Sequence, residues 1–271
     1  MGAACRLQGI SQRRHVSDAL LGKPTGNSLY EIRFVVGDSM VLNAVKRALP
    51  RPIKHPILAC SQWYWDIREF PGMSLGDMTI IKSLLGSIET PKLRVFEWGS
   101  GTSTTYYSKF LQSMNLDFEW HAAENSLAWR DRMEKKIKGA NLDNQVKIHL
   151  SEFPGFWELP GFTWDDPIPT QSLIENPNAE RYVKMPLEVG GKFDLMIVDG
   201  RFRRRCLLVA KEVLAPRGVV FLHDAQKPRY HPSLPEFAHH KFITTGTMPG
   251  SSQPSTIALC CMGEDTPIKQ Y

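Results

Sequence analysis

The sequence predicts an α/β protein built on a doubly wound, mostly parallel, seven-stranded sheet. Three observations predict it. From Leu93 onward, short apolar runs alternate with helix-period segments, as in repeated βα units. The last two apolar runs leave no room for a helix between them, and the connecting MPGSSQPS suits a hairpin. The chain has 271 residues, 42% hydrophobic and 23% charged, which suits one large globular domain, alone or with an added segment.

Residues 93–98 (LRVFEW) form the first expected strand, and 102–114 the helix after it. A second strand follows at 118–123, then a helix at 127–138 and a third strand at 146–150. FDLMIV at 193–198 is the most strand-like run, and FRRRCLLVAKEVL at 202–214 is its helix. Ala215-Pro216-Arg217-Gly218 is expected to end that helix, with the fifth strand at 219–222. Strands at 242–247 and 256–262 close the sheet as an antiparallel hairpin.

Two segments fall outside the alternation. Residues 1–90 are punctuated by proline and form a helical N-terminal extension, with helical pieces near 40–48 and 75–85. Residues 151–191 are an irregular insertion whose aromatics and prolines suit a lid or binding loop. The main domain then spans 91–262, and 263–271 form a tail.

Right-handed crossovers put ligand sites at the carboxyl ends of parallel strands. The first such end is VFEWGSGTST, residues 95–104. Its glycines permit a tight turn and close backbone approach to a ligand. Glu97 would repel a pyrophosphate but suits an amine or sulfonium. Thr104 stands where a dinucleotide fingerprint has its third glycine, which argues against NAD. Glu124, ending the second strand, can accept hydrogen bonds from both hydroxyls of a ribose.

VFEWGSGTST, followed by HAAEN, VKIHLSE, FDLMIVDG and GVVFLHD at the next strand ends, resembles the class I S-adenosylmethionine-dependent methyltransferases. REFPGMSLGD before the core is similar to the lead-in of small-molecule O-methyltransferases in that family. The resemblance implies a Rossmann-like domain that binds S-adenosyl-L-methionine. It implies that Glu97, Gly99 and Gly101 border the methionine part, with Ser100, Thr102 and Ser103 in the same turn. Glu124 would bind the ribose, and Ser151 and Glu152 would lie near the adenine. Ser103 stands where many members carry a third glycine.

For the chemistry, Asp199 closes the fourth strand, and His223 and Asp224 close the fifth. Two carboxylates from adjacent strand ends with a neighbouring histidine could hold Mg2+ or another divalent metal. The resemblance supplies a precedent, since metal-dependent members place an Asp at the fourth strand and acids at the fifth. The alternative is a metal-free site in which His223 or Asp199 acts as base. Arg201, Arg203, Arg204 and Arg205 open the helix after the fourth strand, where the helix dipole disfavours cations. They either grip an anionic acceptor, with Arg201 and Arg203 nearest, or pair with local acids. Trp157 and Trp164 in the insertion, with Trp63, Tyr64 and Trp65, are candidates to wall the acceptor pocket.

The expected function is methyl transfer to a small-molecule acceptor, at a hydroxyl. The net charge of +5 is modest for phosphate contacts and no basic tail is evident, which disfavours a nucleic-acid methyltransferase. A non-catalytic nucleotide-binding module is the remaining alternative. Five cysteines, none in a CxxC pair, suit a reducing compartment and hence the cytoplasm. No apolar run reaches the length of a membrane span, so no membrane partner is expected. A monomer or homodimer suits this class.

Overall fold

The computed structural model describes residues 69–153, 176–247 and 253–271. Strands β1 (Leu93–Trp98), β2 (Phe118–Glu124), β3 (Val146–Leu150), β4 (Phe193–Val198), β5 (Leu214–Leu222), β6 (His239–Thr247) and β7 (Pro254–Cys261) form one sheet. Its order is β3-β2-β1-β4-β5-β7-β6. β1 to β5 pair in parallel, and β7 runs antiparallel to both β5 and β6. The doubly wound sheet with a closing hairpin is therefore the observed architecture. Order reverses direction between β1 and β4, so the crevice above their carboxyl ends is the switch point.

The helices α1 (Leu75–Ser87), α2 (Thr102–Ser113), α3 (Leu127–Gly139), α4 (Pro177–Val189) and α5 (Arg203–Val213) cover both faces. Strand alternation sorts the core into two layers. Phe96, Trp98, Met196 and Val198 pack with Tyr182 and Val183 of α4 and with Cys206 and Leu207 of α5. Val95, Trp120, Leu195 and Ile197 pack on the other face with Ile81 and Leu84 of α1 and Tyr107 and Leu111 of α2. Both layers are buried, as the unbroken apolar strands require.

The boundaries differ from expectation in three places. α5 ends at Val213, just before Ala215–Gly218 as expected, but β5 already begins at Leu214, and residues 215–218 bulge out of register with β4 between Phe193 and Leu195. β6 begins at His239, so the His239–His240 pair belongs to a strand. The insertion carries α4, which caps cleanly: Asn176 Oδ1 accepts from Asn178 N (2.9 Å) and Ala179 N (3.3 Å), with Pro177 in the first turn. Its buried Ala179, Tyr182, Val183 and Pro186 recur at helical spacing.

α4 also contains a proline, and that proline fixes how the helix meets the sheet. Pro186 has no N–H, so it leaves the carbonyl of Tyr182 without its intrahelical donor. Trp98 Nε1, fully buried at the end of β1, donates to that oxygen at 3.1 Å and to Val183 O at 3.3 Å. The orphaned carbonyl thus ties α4 to the strand that carries the glycine turn.

Candidate active site

Each strand end stays hydrogen-bonded one residue past its last rung. Gly99 N donates to Ala123 O, Asp199 N to Trp98 O, His223 N to Val198 O, and Ser151 N to Glu124 O. These side chains therefore sit on a rigid floor. Gly99 has φ +91°, and a Cβ there would meet Gly200 Cα at 2.7 Å. A Cβ on Gly200 would in turn lie 2.0 Å from the Tyr182 hydroxyl. The loops after β1 and β4 touch, and both contacts require glycine.

Glu97 lies beneath this turn. The alternation that sends Phe96 and Trp98 to one face turns Glu97 toward α2 on the other. Its carboxylate accepts from Ser103 Oγ (2.5 Å), Thr104 Oγ1 (2.6 Å) and Trp120 Nε1 (3.1 Å). Gly101 N donates to Thr104 Oγ1 at 3.0 Å, linking the acid to the turn's backbone. Burial pushes the Glu97 carboxyl up to about 7, and the charge of Asp199 adds to that, against the pull of the three hydrogen bonds. It is fully buried, and its hydrogen bonds to Ser103 and Thr104 brace the turn from below.

Above the turn, Ser100 Oγ donates to Glu124 Oε2 at 2.8 Å, and Trp129 Nε1 donates to Ser100 O at 2.7 Å. Glu124 Oε1 accepts from Asn125 N and Ser126 N. Burial raises the Glu124 carboxyl, while Ser100, the two amides and the Arg201 charge oppose that rise. Ser151 Oγ is committed to Asn178 O (2.7 Å), and Asn178 Nδ2 holds Glu152 O (2.8 Å), which leaves the Glu152 side chain exposed. The pair expected near an adenine therefore also anchors the start of α4. Thr102 opens α2 beside Ser103.

Asp199, His223 and Asp224 converge at the ends of β4 and β5. His223 Nδ1 lies 2.8 Å from Asp199 Oδ1, and its Nε2 faces Asp77 Oδ2 at 3.5 Å. Burial lowers the imidazole's pKa, but the Asp199 charge, the hydrogen bond to Asp199 and the nearby Asp77 carboxylate overcome it, raising it to about 10. A shift in this direction favours the imidazolium, the form that donates to Asp199. Asp199 keeps its charge: burial raises its carboxyl, and the His223 and Arg203 charges bring it net below the usual range. Asp224 takes a left-handed φ of +59°, which Asp tolerates, and is held well below the usual range by Arg203, His223 and Lys227 against its burial.

Asp77 escapes a reading confined to strand ends. It is fully buried, and Ser74 and Asp77 form a capping box at the start of α1. Its carboxylate accepts from Ser74 N (2.9 Å), Ser255 Oγ (3.0 Å) and Thr245 Oγ1. The Ser-x-x-Asp spacing in MSLGD is the signal for it.

Arg203 resolves the arginine cluster. It donates Nε to Gly200 O (3.2 Å), Nη1 to His223 O (2.6 Å) and Asp224 Oδ2 (3.3 Å), and Nη2 to Asp199 O (2.9 Å); Nη2 also ion-pairs with Asp199 Oδ1 at 2.8 Å. The guanidinium thus makes four hydrogen bonds and ion pairs with both carboxylates. Arg203 is turned back onto local acids and carbonyls, the second of the two expected readings of the cluster. Arg205 pairs with Glu180, Arg204 is exposed, and Arg201 lies where the charges of Glu124 and Asp199 act on it. Trp157, Trp164, Trp63, Tyr64 and Trp65 lie outside the described residues.

The expected metal site does not fit these residues. Lys227 Nζ (2.5 Å) and Arg203 both hold Asp224 Oδ2, while His223 and Arg203 hold Asp199 Oδ1. A guanidinium stands between the carboxylates. Among the described residues, no group of three or more His, Cys, Asp or Glu is placed to hold a metal ion. Cys206, Cys260 and Cys261 are free and buried, and no described helix is long and apolar enough to cross a membrane.

No family model and no curated protein matches the sequence. Solved structures do match. A methyltransferase-like protein from Silicibacter pomeroyi is 16% identical, with 75% of this chain and 94% of that chain covered at a TM-score of 0.50. An O-methyltransferase from Bacillus cereus, solved in complex with SAH, is 12% identical, with 81% and 96% covered at a TM-score of 0.46. At such identities the likeness is one of fold, and the chain has the Rossmann-like fold of the methyltransferases.

Proposed function

We propose that this chain is an S-adenosylmethionine-dependent methyltransferase acting on the hydroxyl of a small-molecule acceptor. One observation carries the reading: the Glu124 carboxylate stands at the end of β2 within 2.8 Å of Ser100, a residue of the glycine turn at the switch point. A carboxylate there suits the paired hydroxyls of a ribose, and Gly99, Ser100, Gly101, Thr102 and Ser103 offer the backbone beside it. Ser151 and Glu152 close the adenine end. The fold shared with the Silicibacter pomeroyi methyltransferase-like protein is consistent with this.

When bound, S-adenosylmethionine supplies an electrophilic methyl on a sulfonium. The chain's own groups position the acceptor and manage its proton. Asp199 Oδ1 is taken by His223 and Arg203, and among the described residues Oδ2 has no partner, so it is the oxygen available to an acceptor hydroxyl. An Asp with a lowered pKa is a weak base. It orients the hydroxyl and takes the proton as the oxygen bonds to the methyl, when that proton has become acidic. The nucleic-acid alternative gains no support from Arg203 and Arg205, whose charges are used internally.

Thermal unfolding of the full chain with S-adenosylhomocysteine tests this reading. A ligand at 100 times its dissociation constant stabilises a fold by about 2.7 kcal/mol, which is readily measured. A shift with S-adenosylhomocysteine and none with NAD is expected. No shift in folded protein overturns the proposal.

A further inference from the structure

We propose that Arg203 is a built-in cation standing in place of a divalent metal between the ends of β4 and β5, so that this site works without one. The inference rests on the methyltransferase reading for its consequence, but the geometry of Arg203 stands by itself. The guanidinium is 12% exposed and binds both carboxylates at once, Asp199 Oδ1 at 2.8 Å and Asp224 Oδ2 at 3.3 Å. Its remaining donors hold the carbonyls of Asp199, Gly200 and His223, the backbone of both strand ends.

Charge and space both exclude a second cation. Arg203 and Lys227 already balance Asp199 and Asp224. Hard cations such as Mg2+ need several oxygens at about 2.0–2.1 Å. Binding one here would mean displacing the guanidinium from four hydrogen bonds and its ion pair with Asp199, leaving it a buried, unpaired charge. Position in the chain supports a fixed role. Arg203 is the first residue of α5, where the helix dipole repels a cation, and the two carboxylates and three carbonyls offset that repulsion. The cation lies against Asp199 Oδ1, and among the described residues no contact is made to Oδ2. It holds the base in place without itself coordinating an acceptor oxygen, so an acceptor needs one hydroxyl and gains nothing from a chelating pair.

The test is a titration of the full chain with Mn2+ alone, following the electron paramagnetic resonance of free Mn2+, and a second titration with S-adenosylhomocysteine present. The expected result is no Mn2+ bound at this site, and an S-adenosylhomocysteine shift that Mn2+ and Mg2+ leave unchanged. Stoichiometric Mn2+ binding that Asp224→Asn abolishes overturns the proposal, as does a shift that grows with metal. Mn2+ binding that Asp224→Asn leaves intact lies elsewhere and is compatible with Arg203 filling the site. If S-adenosylhomocysteine fails to bind while Mn2+ also fails, the methyltransferase reading falls and the Arg203 assignment survives. Arg203→Met, checked for folding by circular dichroism, provides the converse arm: with the cation gone, Mn2+ affinity is expected to rise at least tenfold.

Discussion

Asp77 Oδ2 faces His223 Nε2 at 3.5 Å under the floor of the crevice, and so joins the first turn of α1 to the end of β5. His223 in turn holds Asp199 through Nδ1, giving a line of alternating charge from a buried helix cap to the candidate base. The arrangement stabilises the imidazolium, raising its pKa from 6.5 to about 10. A raised histidine contributes stability that is fully present below about pH 6.5 and lost as pH rises through 10. We expect the unfolding free energy to fall by a few kcal/mol between pH 7 and 10, and the slope to flatten in His223→Gln. Titration of the His223 Cε1–H resonance is a check that needs no variant. A midpoint below pH 8 would refute the assignment.

Glu97 makes a separate prediction in a lower pH window. Its pKa is raised from 4.5 to about 7, chiefly by burial. A raised carboxyl gives stability that is complete below about pH 4.5 and lost as pH climbs to 7, by roughly 3 kcal/mol. Urea midpoints measured from pH 5 to 7.5 should decline in the wild type and stay nearly level in Glu97→Gln. Parallel declines in the two proteins would assign the effect to another group.

The sheet was legible because its central strands, β1 and β4, are buried on both faces and read as nearly unbroken apolar runs. β1, β3 and β4 match expectation at both ends, and the short β6–β7 link announced a hairpin. The start of β5 was hidden because Ala215-Pro216-Arg217-Gly218 carries turn chemistry and bulges out of the ladder between the Leu214 and Val219 rungs. α4 was missed although Asn176-Pro177 is a strong start signal and Ala179, Tyr182, Val183 and Pro186 share a face. The proline at 186 argued against a helix, and only the Trp98 donor explains its tolerance. At the site, Glu124, Asp199 and His223 could be placed from strand ends alone. Side-chain pairing could not: that Arg203 turns back onto Asp199 and Asp224, or that Asp77 reaches His223, depends on crossovers that sequence spacing does not encode.

Glu124 tests the cofactor site directly. Hydrogen bonds to a charged group contribute about 1.5–3 kcal/mol. Glu124→Gln should therefore weaken S-adenosylhomocysteine binding roughly ten- to hundredfold by calorimetry. Ser100→Ala removes the hydroxyl now bonded to Glu124 Oε2 and leaves the carboxylate for the ribose, so its effect should be much smaller. Equal losses would mean the pair acts as a unit in shaping the turn. An unchanged affinity in Glu124→Gln would remove the ribose role.

Trp98 and Pro186 make the last prediction, because the indole occupies a carbonyl that the proline leaves open. Trp98→Phe deprives the buried Tyr182 oxygen of its donor, and an unsatisfied buried group costs about 1–3 kcal/mol. Packing lost with the smaller ring adds to that and complicates a single measurement. Pro186→Ala supplies the missing N–H within α4, so in that background Trp98→Phe should cost less, while the packing loss stays the same. The double-mutant cycle isolates the difference. We expect a coupling of about 1 kcal/mol or more from urea unfolding of the four proteins, with Pro186→Ala alone near neutral. Additive costs would mean that the Tyr182 carbonyl is satisfied some other way and that the indole is held at the end of β1 by packing alone.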